Sequence, residues 1–208
     1  MLSKLTKIIK EGFRGLGQKG YTLIEIAAVV AITATLAAVV VPVAMDKISK
    51  SKEAAAADDV KALASAVAGF YGDVGLWPAR SGTSDNYLYM LRTGNSKDND
   101  PGFDITGTSY WDFSDDKSDF AQDHLVKNTH SYANWAGPYV ESLKDEDKRD
   151  PWGHNYVIWV RGMWDKNSTA GFGWVISAGQ DGKLQTNTTD DELKGDDIGT
   201  AIYRASSS

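Results

Sequence analysis

Aspartates near the C-terminus form the densest group of side chains that could bind an ion. Asp181 is followed within sixteen residues by four more aspartates, Asp190, Asp191, Asp196 and Asp197. Hard cations such as Ca²⁺ take about six to eight oxygen ligands from carboxylates and backbone carbonyls. The loop supplies both kinds of oxygen, although the EF-hand series of aspartates at alternate positions is absent. Composition alone favours a solvated acidic loop over an ion site.

A second acidic side chain, Glu25, stands at the start of an apolar run. Residues 26–45 are 20 residues without a formal charge. At about 1.5 Å per residue, a helix of this length spans roughly 30 Å, enough to cross a bilayer. An ionised carboxylate inside a bilayer costs about 2.5–3.5 kcal/mol on insertion scales, so we expect Glu25 to have a partner. The free N–H groups of a helix N-terminus offer one, and a position in the headgroup layer is the alternative.

The distribution of charge favours a membrane-inserted chain and argues against other functions. Residues 1–20 carry five basic side chains against Glu11, a balance of +4, so the net charge of −6 leaves −10 on the remainder. A basic head before an apolar segment predicts a cytoplasmic N-terminus, and the acidic body argues against nucleic acid as the main partner. The chain has no cysteine, no G-x-S-x-G elbow and no phosphate-binding loop. We therefore expect no enzyme.

One long helix must carry Glu25 and the apolar run. Apolar residues continue at helical spacing from Val60 to Phe70, and glycines and a proline stop the pattern soon afterwards. We predict a helix over residues 21–75, with its transmembrane part at residues 21–45 and a kink at Pro42.

The second half of the chain has a β pattern. Residues 156–160 and 173–177 are rich in β-branched and aromatic side chains, which predicts two strands in an antiparallel hairpin. His154 precedes the first strand and is interpreted as a turn residue. The two other histidines, His124 and His130, have no metal-like spacing with it.

The stretch KGYTLIEI, residues 19–26, resembles the class III signal of type IV pilins and of the pseudopilins of type II secretion. That signal is a basic leader ending in Gly, an aromatic residue, Thr-Leu-Ile-Glu and an apolar helix. The resemblance implies that a prepilin peptidase cuts after Gly20 and methylates the new N-terminus at Tyr21. Glu25 then becomes the fifth residue of the mature protein, and we expect it to pair with the Tyr21 amine of a neighbouring subunit during filament assembly.

Two C-terminal stretches are similar to the major pseudopilin of type II secretion systems: RDPWGHNYVIWV (149–160) and SAGQDG…DDIG (177–199). The second resemblance implies one structural calcium ion. The residues carried over as ligands are the side chains of Asp181 and Asp197, with Asp196 as the alternative to Asp197, and the carbonyl of Ala178.

The resemblance implies an α+β, type IV pilin-like fold in which a long N-terminal helix packs on a small antiparallel β-sheet. Residues 1–20 are the expected leader peptide, and residues 76–208 the expected globular, β-rich head with a calcium-type loop at 176–199. Residues 81–135 show no resemblance to the family, and we expect them to form an inserted surface subdomain.

The implied function is that of a structural subunit that polymerises into a type IV-like helical filament, most closely the major pseudopilin of a pseudopilus that promotes protein export. A type IV pilus subunit for adhesion, motility or DNA uptake is the alternative within this class, and a membrane-anchored enzyme or binding module is the alternative outside it. Expected partners are identical subunits, the prepilin peptidase, the inner-membrane assembly platform, minor pseudopilins and the membrane. We expect a single pass through the bacterial inner membrane, with the head in the periplasm, and then a periplasmic or extracellular filament.

Overall fold

A computed structural model of the protein describes residues 20–82, 84–105, 111–143, 147–167 and 171–203. The chain divides into two compact units, with the boundary between Ile48 and Ser49. Of the predicted leader peptide, all but Gly20 lies outside the described residues.

One helix, α1 (Leu23–Val74), contains 52 residues and continues from the first unit into the second. This confirms the predicted long N-terminal helix. Its apolar N-terminal part is long and apolar enough to cross a membrane, and none of that part is buried by the protein itself. Pro42 lies inside α1, and the kink there stays a prediction.

The second unit buries one stripe of apolar side chains from α1. Their helical spacing places them on one face of the helix, and all are almost fully buried: Ala56, Val60, Leu63, Val67 and Phe70. The helix ends where Gly75 adopts a φ of +74° and donates its N–H to the carbonyl of Tyr71 at 2.9 Å. Glycine adopts this left-handed conformation without strain, and the bond satisfies a carbonyl that the last turn leaves free.

A five-stranded sheet forms the centre of the second unit. Its strands are β1 (Met90–Arg92), β3 (Ser118–Phe120), β4 (Val157–Trp159), β5 (Phe172–Ser177) and β7 (Ile198–Tyr203), in the order β3-β1-β4-β5-β7. Strands β2 (Gly102–Phe103) and β6 (Lys183–Leu184) form a separate parallel pair. Two short helices, α2 (Ala121–Leu125) and α3 (Arg161–Trp164), follow β3 and β4. The antiparallel pairing of β4 with β5 confirms the predicted hairpin.

The predicted sheet is antiparallel, whereas the observed sheet contains one parallel pair of strands. Strands β1 and β3 are parallel, whereas the other three pairs are antiparallel. A parallel pair needs a long crossover connection, and the chain between Arg92 and Ser118 provides it. The fold is therefore α+β with a mixed sheet.

The described residues of 81–135 contribute to the core, whereas the predicted surface subdomain stays a prediction. They supply β1 and β3. Successive side chains of a strand point to opposite faces, and here both faces are buried. Ile158 packs in the cluster that contains the α1 stripe, whereas Val157 and Trp159 pack with Met90 and Trp111. Met90 and Trp111 of this segment therefore help to cover the second face of the sheet.

A buried guanidinium anchors this segment. Arg92 is 1% exposed, forms an ion pair with Asp100 and donates to the hydroxyl of Ser118 and, at 3.1 Å, to the carbonyl of Phe113. A buried charge is costly unless it is paired and hydrogen-bonded. The network therefore fixes three separate parts of the segment around β1.

Candidate functional site

The peptide bond predicted to be cleaved lies in an exposed part of the first unit. Gly20, Tyr21 and Thr22 precede α1, and Tyr21 is 82% exposed. A side chain added at Gly20 would meet no atom within 4 Å among the described residues. Among the described residues, nothing packs against Gly20.

Thr22 and Glu25 close the first turn of α1 as a capping box. The N–H and the hydroxyl of Thr22 both donate to Glu25 Oε2, each at 2.8 Å, and the Glu25 N–H donates to Thr22 Oγ1 at 3.3 Å. Two backbone donors at the helix N-terminus are thereby satisfied. Glu25 thus has a partner in its own chain, and the spacing Thr-x-x-Glu is the sequence signal that identifies it.

The acidic loop that follows β5 begins with a turn held by Asp196. The N–H groups of Gln180 and Asp181 donate to Asp196 Oδ2 at 2.6 and 3.0 Å. A Cβ atom on Gly179 would lie 2.2 Å from the carbonyl oxygen of Asp196, so the two backbones are in close contact. The structure therefore brings the two ends of the loop together, as the predicted ion site requires.

The carboxylate of Asp181 is occupied by hydrogen bonds. Its Oδ1 accepts from the N–H of Lys183 at 2.8 Å, and its Oδ2 accepts from the side chain of Gln185 at 2.7 Å. The N–H of Gln185 donates to Asp197 at 2.9 Å. Gln185 thus contacts both of the predicted side-chain ligands.

Asp197 is the most buried carboxylate of the loop, at 6% exposure. Its Oδ2 accepts from the N–H groups of Gln185 and Thr186, at 2.9 and 2.6 Å, but its Oδ1 is buried without a hydrogen-bond partner. Burial raises the pKa of Asp197 to about 6, against the hydrogen bonds from Thr186 and Gln185, which lower it. A buried, partly unsatisfied carboxylate is the environment that a hard cation would complete.

The surroundings of Asp197 also fit an ion. Ala178, whose carbonyl is the predicted backbone ligand, is fully buried directly before the turn. A groove of about 620 Å³ reaches the carboxylates of the loop. Its lining residues are Lys50, Glu53, Ala54, Ala57, Trp152, Gln180, Asp196, Asp197 and Ile198. The residues present thus fit a hard cation at Asp197, whereas the carboxylates of Asp181 and Asp196 already accept N–H donors.

A group of three side chains lies at β3, α2 and the turn that follows, and was not predicted from the sequence. One potential ligand atom from each of Asp119, His124 and His130 lies within 4.8 Å of the others, the one such group among the described residues. Its spacing, Asp-x₄-His-x₅-His, crosses a strand, a helix and a turn, so it has no helical or strand period that the sequence could reveal. His154 lies elsewhere, in a turn where its N–H donates to Asp150 at 2.9 Å.

Comparisons with known proteins support the resemblance described above. Residues 118–196 match the model of the family described as type II secretion system (T2SS), protein G. A similar protein is the fimbrial protein EcpC of Eikenella corrodens, which is 40% identical over 62 residues. The matched part covers 30% of this chain and 40% of that protein, so the chain spans less than half of this relative's length. No solved structure gives a significant match.

The family match also changes the predicted boundary of the insertion. It begins at Ser118, inside the range 81–135. Strand β3 and helix α2 therefore fall within the part of the chain that matches the family.

Proposed function

We propose that this chain, which is similar to the family of type II secretion system protein G over residues 118–196, is a structural subunit of a helical filament, and that this filament is the pseudopilus of a type II secretion system. The observation that carries the proposal is the match of residues 118–196 to the family of T2SS protein G. The α+β fold with its long N-terminal helix supports it. The proposed task is assembly rather than catalysis, with the chain as the major pseudopilin.

The N-terminal part of α1 is the proposed membrane anchor and filament core. Its large apolar side chains are exposed, with Leu36 at 63% and Val39 at 68%. Such a surface is stable only when lipid or other protein removes it from water. Before assembly the partner is the inner membrane, with the basic N-terminus in the cytoplasm and the head in the periplasm. In the filament, the same side chains pack on those of neighbouring subunits.

Processing after Gly20 places a new positive charge beside the capping box. Cleavage by the prepilin peptidase gives Tyr21 an α-amine, one residue before Thr22. An ionised carboxylate has about four lone-pair sites, so Glu25 can keep both bonds from Thr22 and still accept from the amine of a neighbouring subunit. This pairing offsets the cost of a carboxylate near lipid and sets the axial stagger between subunits.

A structural calcium ion in the C-terminal loop is part of this proposal. Asp197 Oδ1 is the proposed first ligand, because it is buried without a hydrogen-bond partner. The Ala178 carbonyl and Asp181 complete the protein's share, with Asp196 as the alternative to Asp197. Asp181 would exchange its bond from the Gln185 side chain for the ion. The bound ion would neutralise the buried charge and hold the two ends of the loop together, in a chain without cysteine.

A pilus subunit is the second candidate, and the similarity to the fimbrial protein of Eikenella corrodens favours it. Such a subunit would use the same anchor, processing site and Glu25 contact. The two candidates differ in the machine that assembles the filament, and hence in what is lost when the subunit is missing.

Deletion of this chain in the bacterium that encodes it separates the candidates. For a major pseudopilin, we expect exported proteins to accumulate in the periplasm while surface pili remain, and the wild-type chain to restore export. Loss of surface pili with normal export would establish the pilus subunit instead. A deletion strain with normal export and normal pili would contradict both candidates.

A further inference from the structure

The group formed by Asp119, His124 and His130 resembles a metal site in its geometry. His130 Nε2 lies 2.8 Å from Asp119 Oδ2, and His124 Nε2 lies 3.5 Å from the same oxygen. With metal–nitrogen bonds of about 2.0–2.1 Å, the ligand atoms of a tetrahedral site lie about 3.3 Å apart. The two observed distances bracket this value. Three protein ligands leave a fourth position for water.

One ligand atom in the group is buried and has no hydrogen-bond partner. His124 is 0% exposed, and its Nε2 makes no hydrogen bond in the part of the chain that the structure describes. An unpaired buried polar atom is costly. A hydrogen-bond network without metal would leave this nitrogen facing Asp119 at 3.5 Å, too long for a good bond. The nitrogen is therefore placed for a ligand that the protein alone does not supply.

The other ring nitrogen of His124 is held as metal-binding histidines usually are. His124 Nδ1 lies 2.8 Å from the hydroxyl of Tyr132, and that hydroxyl also accepts from the N–H of Arg80 at 2.9 Å. A second hydrogen bond of this kind fixes the ring and leaves Nε2 free to bind a metal. The Arg80 side chain donates to the carbonyl of His130 at 3.0 Å, so it holds the turn that carries the third ligand.

We propose that Asp119 Oδ2, His124 Nε2 and His130 Nε2 bind one divalent transition-metal ion of the zinc type. Imidazole and carboxylate ligands suit such ions, whereas Ca²⁺ prefers oxygen ligands only. The site is therefore chemically distinct from the acidic C-terminal loop. Its side chains are partly accessible, with Asp119 27% and His130 13% exposed, so an ion can enter from solvent.

Metal binding requires a small rearrangement of one ring. The imidazoles of His124 and His130 are stacked, with centroids 4.4 Å apart and planes at 23°, so an ion close to one ring plane lies out of the other. Both nitrogens can bind one ion only if the rings open. His130 is the more exposed ring, and it lies in a turn bracketed by Asn128 and Ser131, both with positive φ. We expect His130 to move while His124 stays fixed.

The ion would join two parts of the chain that otherwise meet through hydrogen bonds and side-chain packing. Asp119 and His124 belong to β3 and α2, and His130 belongs to the turn that follows them. A structural metal contributes binding free energy directly to folding. The site would stabilise the fold as a disulfide does in other proteins, since this chain has no cysteine.

Zinc titration of the full-length chain in detergent tests the proposal. The protein is stripped with a chelator, returned to buffer with excess calcium to occupy oxygen-only sites, and titrated with Zn²⁺ by calorimetry. We expect one equivalent of Zn²⁺ per chain and a raised melting temperature. Co²⁺ in place of Zn²⁺ should give the visible absorption of a tetrahedral site. Absence of binding by the wild type would overturn the proposal.

Two matched variants locate the ion. In His130→Gln, the amide can still donate to Asp119, so the fold is retained while the imidazole ligand is lost, and we expect affinity to fall at least about tenfold. Asp119→Asn should weaken binding by a similar factor. His154→Gln, which changes the histidine outside the group, should bind as the wild type does. Equal affinity in wild type and His130→Gln, or a loss confined to His154→Gln, would place the ion elsewhere and overturn the proposal.

Discussion

Glu25 and Asp197 both lie where an ionised carboxylate is energetically unfavourable, the first next to the proposed membrane segment and the second in a buried loop. The two regions compensate for this in different ways. Glu25 lies at the exposed N-terminus of α1 and accepts hydrogen bonds from Thr22. Asp197 is buried, with one oxygen that has no hydrogen-bond partner. Glu25 is exposed to groups from other molecules, whereas Asp197 is surrounded mainly by its own chain. In the proposed function, Glu25 therefore serves assembly and Asp197 serves internal stabilisation.

The same contrast divides the two parts of α1. Leu36 in the first unit is 63% exposed, and Leu63 in the second is 1% exposed. One helix therefore carries an apolar surface that other molecules must cover and an apolar stripe that its own sheet covers. Substitutions in the two parts should affect different measurements.

The largest effect is expected from Glu25. Both Glu25→Ala and Glu25→Gln should insert into the membrane normally and reduce filament yield to background. The glutamine variant is informative because Gln closes a capping box as Glu does but carries no charge to pair with the Tyr21 amine. Yield is measured by isolating sheared filaments from cells with equal membrane levels of subunit. Filaments from Glu25→Gln at the wild-type level would show that the carboxylate acts only as a cap.

The next effect separates the two parts of α1. Leu63→Ala should lower the free energy of unfolding of the second unit by about 2–5 kcal/mol, because it leaves a cavity in the core. Leu36→Ala should change the same free energy by less than about 0.5 kcal/mol in detergent, because it removes no contact within the fold. Chemical denaturation followed by tryptophan fluorescence measures both. Equal losses in the two variants would contradict the assignment of the buried stripe.

Asp197→Asn should have opposite effects on stability with and without calcium. Calcium at about 100 times its dissociation constant should stabilise the wild type by about 2.7 kcal/mol, and the variant should lose most of this gain. The pKa of Asp197 is raised to about 6, so the folded protein is more stable when this carboxyl is protonated. That stability is lost as the pH rises through 6, and at neutral pH the ionised carboxylate destabilises the calcium-free fold. In chelator, the uncharged variant should therefore melt at or above the wild type.

Thermal melts in calcium and in chelator measure this reversal. Asp191→Asn, a change at an exposed position of the same loop, is the matched control and should behave as the wild type does in both buffers. If the melting temperature of the wild type is the same in calcium and in chelator, the proposed ion site is excluded.

The smallest effect is expected from the cap itself. Thr22→Ala removes the hydroxyl, which donates to Glu25 Oε2 and accepts from the Glu25 N–H. The change should cost about 1 kcal/mol at the helix N-terminus, while the charge of Glu25 and its bond from the Thr22 N–H stay. Faster hydrogen exchange of the amides after Leu23, with filament yield reduced far less than in Glu25→Gln, is the expected result. A loss of filaments as complete as in Glu25→Gln would mean that the cap, and not the charge, controls assembly.

The sequence predicts the parts of the fold whose pattern is local. The α1 stripe recurs at helical spacing and ends at glycine, and β4 and β5 are rich in β-branched and aromatic residues, so both were found. Strand β1 is three residues long and depends on partners far along the chain, Ser118–Phe120 and Val157–Trp159. Such a short strand has no local pattern in the sequence, so its place in the sheet could not be predicted.

The candidate sites show the same limit. The spacing of Asp181, Asp196 and Asp197 marks an acidic loop, but only the folded backbone shows that Asp197 turns inward while Asp196 caps a turn. The group of Asp119, His124 and His130 forms because a strand, a helix and a turn meet. Its residues have no period in the sequence and become a group only in three dimensions.

The N-terminus of the assembled subunit tests the central proposal most directly. Filaments isolated from cells that express the chain are dissolved, and the intact subunit and its N-terminal peptide are measured by mass spectrometry. A filament subunit of the proposed kind begins at a methylated Tyr21, four residues before Glu25. A subunit that still carries Met1 and residues 1–20 would contradict both the processing and the assembly proposed for it.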